Sequence, residues 1–219
     1  MVHGPVVVER VTTARGELVL RRSDDDYEVI SNGTFLMDTR DGRSERLLVR
    51  AALAAHADPG TVLVGGLGVG FSLLEALADD RVREVTIVEI ESVLLDWHAT
   101  YLSAVTGAAM VDPRTTVVVD DLVAHLDGDD TSYDVICLDV DNGPGWTVTD
   151  SNTRLYDDAG TTGLVRRLRP GGVLAVWSAH QAPAYERLLR RHLADVRSLR
   201  VEVDRGEPDV VYLGTAAGA

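Results

Sequence analysis

Thr61-Val-Leu-Val-Gly65-Gly66-Leu67-Gly68-Val69-Gly70-Phe71-Ser-Leu-Leu-Glu-Ala-Leu77 is the stretch that decides the fold. A short apolar run ends in a cluster of glycines and passes at once into a helical pattern. Glycine lets the backbone turn sharply and approach a ligand with no side chain in the way. Taken alone, such a turn serves equally well as a tight strand-to-helix connection. The next segment adds to it. Glu84-Val-Thr-Ile-Val-Glu89 has the pattern of a second strand, and its last residue lies 19 positions beyond Gly70. A carboxylate at that point can accept hydrogen bonds from both hydroxyls of a ribose.

Downstream the alternation continues. Glu91 to about Tyr101 is helical, Thr115-Thr-Val-Val-Val is a third strand, Tyr133-Asp-Val-Ile-Cys-Leu-Asp139 a fourth and Gly172-Val-Leu-Ala-Val-Trp-Ser178 a fifth. Arg169-Pro170-Gly171-Gly172 punctuates the helix before that fifth strand. A helix around Ala182–Leu193 is followed by two closely spaced strands, Ser198–Val203 and Asp209–Gly214, with Glu207-Pro208 between them as a hairpin connection. Upstream, Glu17 to about Asp38 has short strand-like runs broken at Asp24-Asp25-Asp26 and Asn32-Gly33, and Ser44 to Ala55 is helical. The predicted fold is α/β and Rossmann-like. It has a mostly parallel seven-stranded sheet with helices on both faces and an antiparallel C-terminal edge hairpin. A small β appendage over residues 1–42 precedes a nucleoside-binding domain over residues 43–219.

Composition narrows the function. The 21 basic residues are all arginine. Without lysine there is no Walker A loop, no protein-kinase lysine and no pyridoxal Schiff base. The net charge of −14 argues against a broad nucleic-acid interface and suits a cationic small molecule, although acidity also serves solubility alone. Cys137 is the single cysteine, which excludes an intrachain disulfide. No apolar run is long enough to span a membrane, and the first residues lack the pattern of a secretory leader, so a cytoplasmic location is expected.

Acidic residues stand at the ends of successive strands, where open α/β sheets bind ligands. Gly66, Gly68, Gly70 and Glu89 are candidate nucleoside-binding residues, and one of Asp120 and Asp121 can accept from an adenine amino group. Phe71 occupies the position where a dinucleotide fingerprint has glycine or alanine, so a nucleoside without a pyrophosphate fits better. After the fourth strand come Asp139-Val140-Asp141-Asn142-Gly143-Pro144-Gly145-Trp146. Asp139 and Asp141 can orient a cationic amine or take its proton, and if they are close one should have a raised pKa. The alternative is that they cap a helix or face water. Trp146 is a lid aromatic or a packed loop residue. The six histidines (His3, His56, His98, His125, His180, His192) show no metal-ligand spacing and are expected to be mostly solvated, so no metal is called for. Cys137 has the surroundings of a core residue rather than a nucleophile, and no nucleophile elbow is present.

These segments together resemble the spermidine synthase family, within the class I S-adenosylmethionine-dependent methyltransferase fold. The resemblance runs from about Glu17 to Ser178. It includes the appendage, the glycine turn, Val88-Glu89-Ile90-Glu91, Asp112-Pro113-Arg114, Tyr133-Asp134-Val135-Ile136, Leu155-Tyr156 and Leu168-Arg169-Pro170-Gly171-Gly172. It implies Glu89 as the ribose-binding acid, Asp121 as the adenine-binding acid and Asp139 as the aspartate that deprotonates the attacking amine. It also implies Glu45 and Tyr156 as residues toward the acceptor, beside Trp146 from the loop, and S-adenosylmethionine or its decarboxylated form as the group donor. The chain departs from the family where it has Val69 in place of an aspartate in the glycine motif. Arg43 and Ser44 replace a tyrosine and a glutamine or histidine before Glu45. On these departures, methyl transfer to a small acceptor, cationic in one version, stands slightly ahead of aminopropyl transfer. A non-catalytic nucleoside-binding module and a homodimeric assembly also remain open.

Overall fold

A computed structural model describes residues 4–128, 130–145, 147, 150–203 and 206–218. Four strands come first: β1 (Val6–Thr13), β2 (Gly16–Ser23), β3 (Asp26–Ser31) and β4 (Thr34–Asp38), an antiparallel meander in sequential order. The two-residue connections at Asp24-Asp25 and Asn32-Gly33 make the hairpins. Asn32 (φ 49°) and Gly33 (φ 79°) both have positive φ, the geometry of a type I′ turn. β1 is an addition to the strands expected from Glu17 onward. Its run of valines and threonines has the composition of a strand.

Seven strands form the second sheet: β5 (Thr61–Gly65), β6 (Glu84–Glu89), β7 (Thr115–Val119), β8 (Tyr133–Leu138), β9 (Leu168–Ser178), β10 (Ala194–Val201) and β11 (Asp209–Thr215). Their order is β10-β11-β9-β8-β5-β6-β7. β7, β6, β5, β8 and β9 are parallel, and β11 inserts antiparallel between β9 and β10. Arg169-Pro170-Gly171-Gly172 does not end a helix. It lies inside β9 as a bulge: Tyr133 pairs with Leu168 and Val135 with Val173, so the extra β9 residues loop out.

The helices are α1 (Arg43–Ala55), α2 (Phe71–Leu77), α3 (Ser92–Ala99), α4 (Ser103–Thr106), α5 (Leu122–Gly128), α6 (Asp158–Arg166) and α7 (Pro183–His192), with 3₁₀ turns at Gly107–Val111 and Asp150–Tyr156. In α1, Leu48, Val49, Ala52 and Leu53 recur on one face and are buried. They pack with Val62, Val64, Leu73, Val135 and Ala175 on one side of the sheet, while Leu164, Leu188 and Leu189 of α6 and α7 pack on the other. A third apolar cluster joins the appendage to the domain. Leu18, Leu20 and Val29 meet Val93, Leu94 and Trp97 of α3, together with Val69 and Phe71 at the glycine turn. Trp97 Nε1 also donates to Glu9 of β1 at 3.1 Å. The topology reverses direction between β5 and β8, which places the glycine turn and the ends of β6 and β8 around one crevice. Among the described residues, no helix is long and apolar enough to cross a membrane.

Candidate active site

Gly66 leaves β5 at φ 91°, and a Cβ there would lie 2.3 Å from the carbonyl oxygen of Asp139. Both the left-handed backbone and the contact with β8 therefore require glycine. Gly70 caps α2 at φ 92°, and its Cβ would meet Thr106 at 2.2 Å. It is held by packing against α4 as much as by any ligand.

Glu89 ends β6 and reaches back beneath this turn. Its Oε2 accepts from Leu67 N–H at 2.9 Å, and its Oε1 accepts from Glu91 N–H at 2.8 Å. Burial raises its pKa, opposed by these backbone hydrogen bonds. His98 of α3 secures the other side of the turn. Its Nε2 is 2.9 Å from the Gly68 carbonyl oxygen and its Nδ1 3.1 Å from Thr106 Oγ1. A carbonyl only accepts, so Nε2 carries the proton and Nδ1 accepts from the threonine. Burial lowers the imidazole pKa and keeps it neutral. This histidine is 3% exposed, against the expectation of solvated histidines. Its helix position did not reveal that the glycine turn and α4 close around it.

A cavity of about 400 Å³ opens beside the turn, lined by Gly66, Gly68, Glu89, Leu94, Asp120 and Leu122, with Asp139 and Asp141 at one end. The appendage closes it from above through Leu18, Val29 and Met37. At the β1–β2 connection, Arg15 pairs with Glu91 at 2.8 Å and also donates to the Ile90 carbonyl. The volume and the mixed lining suit a nucleoside. The carboxylate that lines the cavity after β7 is Asp120. Asp121, the residue the resemblance pointed to, accepts from Val123 N–H at 2.9 Å and Ala124 N–H at 3.2 Å, and so caps α5. A step of one residue at a strand end exchanges the two directions.

A smaller cavity adjoins it, lined by Glu45, Val69, Phe71, Asp139, Asp141 and Trp177 among others. Ser72 donates to Asp139 Oδ2 at 2.8 Å. Burial and the charge of Asp209 raise the Asp139 pKa to about 6, against the lowering effect of Ser72. Glu45 is pushed up to about 8 by burial, Asp139 and Asp209. Asp209 is thus a carboxylate that perturbs Asp139, one to which nothing in the sequence pointed. Asp141 takes a left-handed backbone (φ 53°) and accepts from Asn152 Nδ2 at 2.8 Å. Among the described residues, no arginine or histidine forms an ion pair with Glu45, Asp139 or Asp209. Val69 is 2% exposed within the appendage cluster and contributes only apolar surface.

Two acceptor-side candidates stand differently. Tyr156 is buried and its hydroxyl donates to the Val140 carbonyl at 2.9 Å, so it supports the Asp139–Asp141 loop from behind rather than lining a cavity. Trp146 lies outside the described residues. Asp209 was not anticipated, because it is 165 residues from its partner Ser44 and only the β11 insertion brings them together. Cys137 is fully buried in β8, and burial pushes its thiol pKa up.

The fold aligns with a crystal structure of spermidine synthase in complex with the transition-state analogue AdoDATO. The TM-score is 0.80 and the identity 17%, covering 96% of this chain and 73% of that one. A spermidine synthase from Thermotoga maritima aligns with a TM-score of 0.78 at 15% identity, over 96% and 72%. At such identities the likeness establishes the fold. Polyamine aminopropyltransferase 2 of Pseudomonas aeruginosa is 34% identical over 72% of this chain and 46% of its own length. The polyamine aminopropyltransferase of Leptospira interrogans is 27% identical over 74% and 32%. The chain thus spans less than half the length of these curated relatives. Residues 43–201 match the spermine/spermidine synthase domain, from the start of α1 to the end of β10. With that match over most of its length, the chain belongs to the spermine/spermidine synthase domain family.

Proposed function

We propose that the chain is an aminopropyltransferase that takes the aminopropyl group of decarboxylated S-adenosylmethionine and passes it to a small cationic amine. The observation that carries this is the smaller cavity, where Glu45 and Asp139, with Asp209 behind them, face one another without a described basic partner. Buried carboxylates in that arrangement favour a cation between them. The relatives' names shift the balance from methyl transfer, which stood slightly ahead on sequence alone, to aminopropyl transfer.

The larger cavity suits the donor's nucleoside. Gly66 and Gly68 allow close approach, Glu89 keeps acceptor capacity toward the ribose, and Asp120, the carboxylate that lines the cavity after β7, faces the adenine. Asp139 spans the two cavities, where the acceptor nitrogen must approach the carbon beside the sulfonium. A carboxyl with a pKa of about 6 is ionised at neutral pH and still basic enough to take a proton from an ammonium group. The freed amine attacks, the new C–N bond forms as the C–S bond breaks, and the electron pair leaves on sulfur as methylthioadenosine. Asp141 and Glu45 orient the acceptor. Alignment of nitrogen, carbon and sulfur supplies the remainder of the rate.

The test is incubation with decarboxylated S-adenosylmethionine and 1,4-diaminobutane, with products identified by mass spectrometry. Methylthioadenosine with an aminopropylated amine is the expected result. S-adenosylhomocysteine with a methylated amine, formed from S-adenosylmethionine, would overturn the assignment in favour of methyl transfer.

A further inference from the structure

Asp209 begins β11, beyond the residues that match the family domain. Its Oδ2 accepts from the Ser44 hydroxyl at 2.5 Å and from the Trp177 indole N–H at 3.2 Å. Those donors belong to two walls of the smaller cavity. Ser44 precedes Glu45 in the first turn of α1, and Trp177 lines the cavity from β9. One carboxylate therefore ties α1 to the sheet at the point where the acceptor pocket is walled.

A neutral side chain with an oxygen in the same place would make the same two hydrogen bonds, so the tie does not explain the charge. Asp209 has no described basic partner, and burial pushes its pKa up. An unpaired, partly buried charge is costly unless a cation offsets it. Asp209 does not itself line the cavity. It acts through Glu45, Asp139 and Trp177, which do.

We propose that Asp209 is the positioning residue that sets acceptor choice, fixing Trp177 and the Glu45 turn while its charge favours an acceptor with two ammonium groups over a monoamine. The proposal rests on the amine-acceptor reading of the site. Asp209→Asn keeps an oxygen for Ser44 and Trp177 and removes the charge. Rates are measured with 1,4-diaminobutane and with butylamine at saturating donor. KM for the diamine should rise roughly tenfold or more while KM for the monoamine changes little. Any fall in kcat, as loss of the Asp209 charge lowers the Asp139 pKa, should be alike for both amines. Melting temperature and methylthioadenosine affinity should hold, which separates this effect from loss of structure.

A variant with the wild-type preference for diamine over monoamine overturns the proposal. Should Asp209→Asn not fold, Asp209→Glu keeps the charge and displaces the carboxylate by one methylene. It should retain the diamine preference while raising KM for both amines, and loss of the preference there overturns the proposal equally. If the wild type transfers no aminopropyl group, the proposed function fails on its own. Calorimetric titration of the methylthioadenosine-loaded protein with each amine then reads Asp209 separately, by the same comparison of wild type and variant.

Discussion

Asp139 joins two demands in one side chain, since it must be buried enough to remain basic and polar enough to remain ionised. Ser72 meets the second demand and the surrounding protein the first. Asp139→Asn preserves shape and removes the base, so turnover should fall roughly a hundredfold or more if proton transfer contributes to the rate. Nucleoside affinity, measured by calorimetry with methylthioadenosine, should barely change, and an equal loss of binding would make Asp139 structural. Glu89 makes the opposite case. Both of its oxygens already receive backbone N–H groups, so an amide cannot replace it without turning an NH₂ toward one of those donors. Glu89→Gln should therefore weaken nucleoside binding nearly as much as Glu89→Ala, by roughly 1–3 kcal/mol. Full affinity in Glu89→Gln would remove Glu89 from the ribose site.

At the scale of elements, the glycine turn is held between β6 and α3, and His98 is the α3 side of that grip. His98→Phe fills similar space without a donor for the Gly68 carbonyl, whereas His98→Gln can restore one. Methylthioadenosine affinity should fall several-fold in His98→Phe and recover in His98→Gln, by the value of one buried hydrogen bond. Equal losses in both variants would reduce His98 to a packing residue. The parallel strands of the large sheet were legible because each holds a compact apolar run, whereas β10, Ala-Asp-Val-Arg-Ser-Leu-Arg-Val, is largely polar and begins at Ala194, ahead of the expected Ser198. The positions of Gly66 and Glu89 were legible because spacing along βαβ fixes them. His98, Asp209 and the choice between Asp120 and Asp121 were not. Their roles depend on which elements meet: the glycine turn and α4 around α3, β11 beside β9, and the phase of a strand end entering α5. The bulge in β9 hid for a related reason, since a Pro-Gly-Gly run marks a break in local structure without saying that pairing resumes around it.

For the whole molecule, the buried acids make stability and acceptor binding depend on pH in opposite senses. Glu45 keeps its proton in the folded state up to about pH 8, well above the range in which an unfolded glutamate loses it. Between those values the folded chain holds more protons than the unfolded one, so stability falls as pH rises. Asp139 contributes in the same direction up to about pH 6. This contribution is fully present below the unfolded pKa and is lost as pH passes the folded one. Thermal unfolding should therefore show a melting temperature that declines from pH 6 to pH 8.5, with a shallower decline in Glu45→Gln. A bound diammonium acceptor stabilises the ionised carboxylates and drives their protons off. Its apparent affinity should rise across the same window, by up to roughly tenfold per pH unit for each proton released. Calorimetry in buffers of different ionisation enthalpy counts those protons directly. Proton release that disappears in Glu45→Gln would trace the linkage to Glu45. Acceptor affinity that is flat between pH 6 and 8 in the wild type would show that the acids are ionised before the amine arrives and that the pocket is more open to water than its lining indicates.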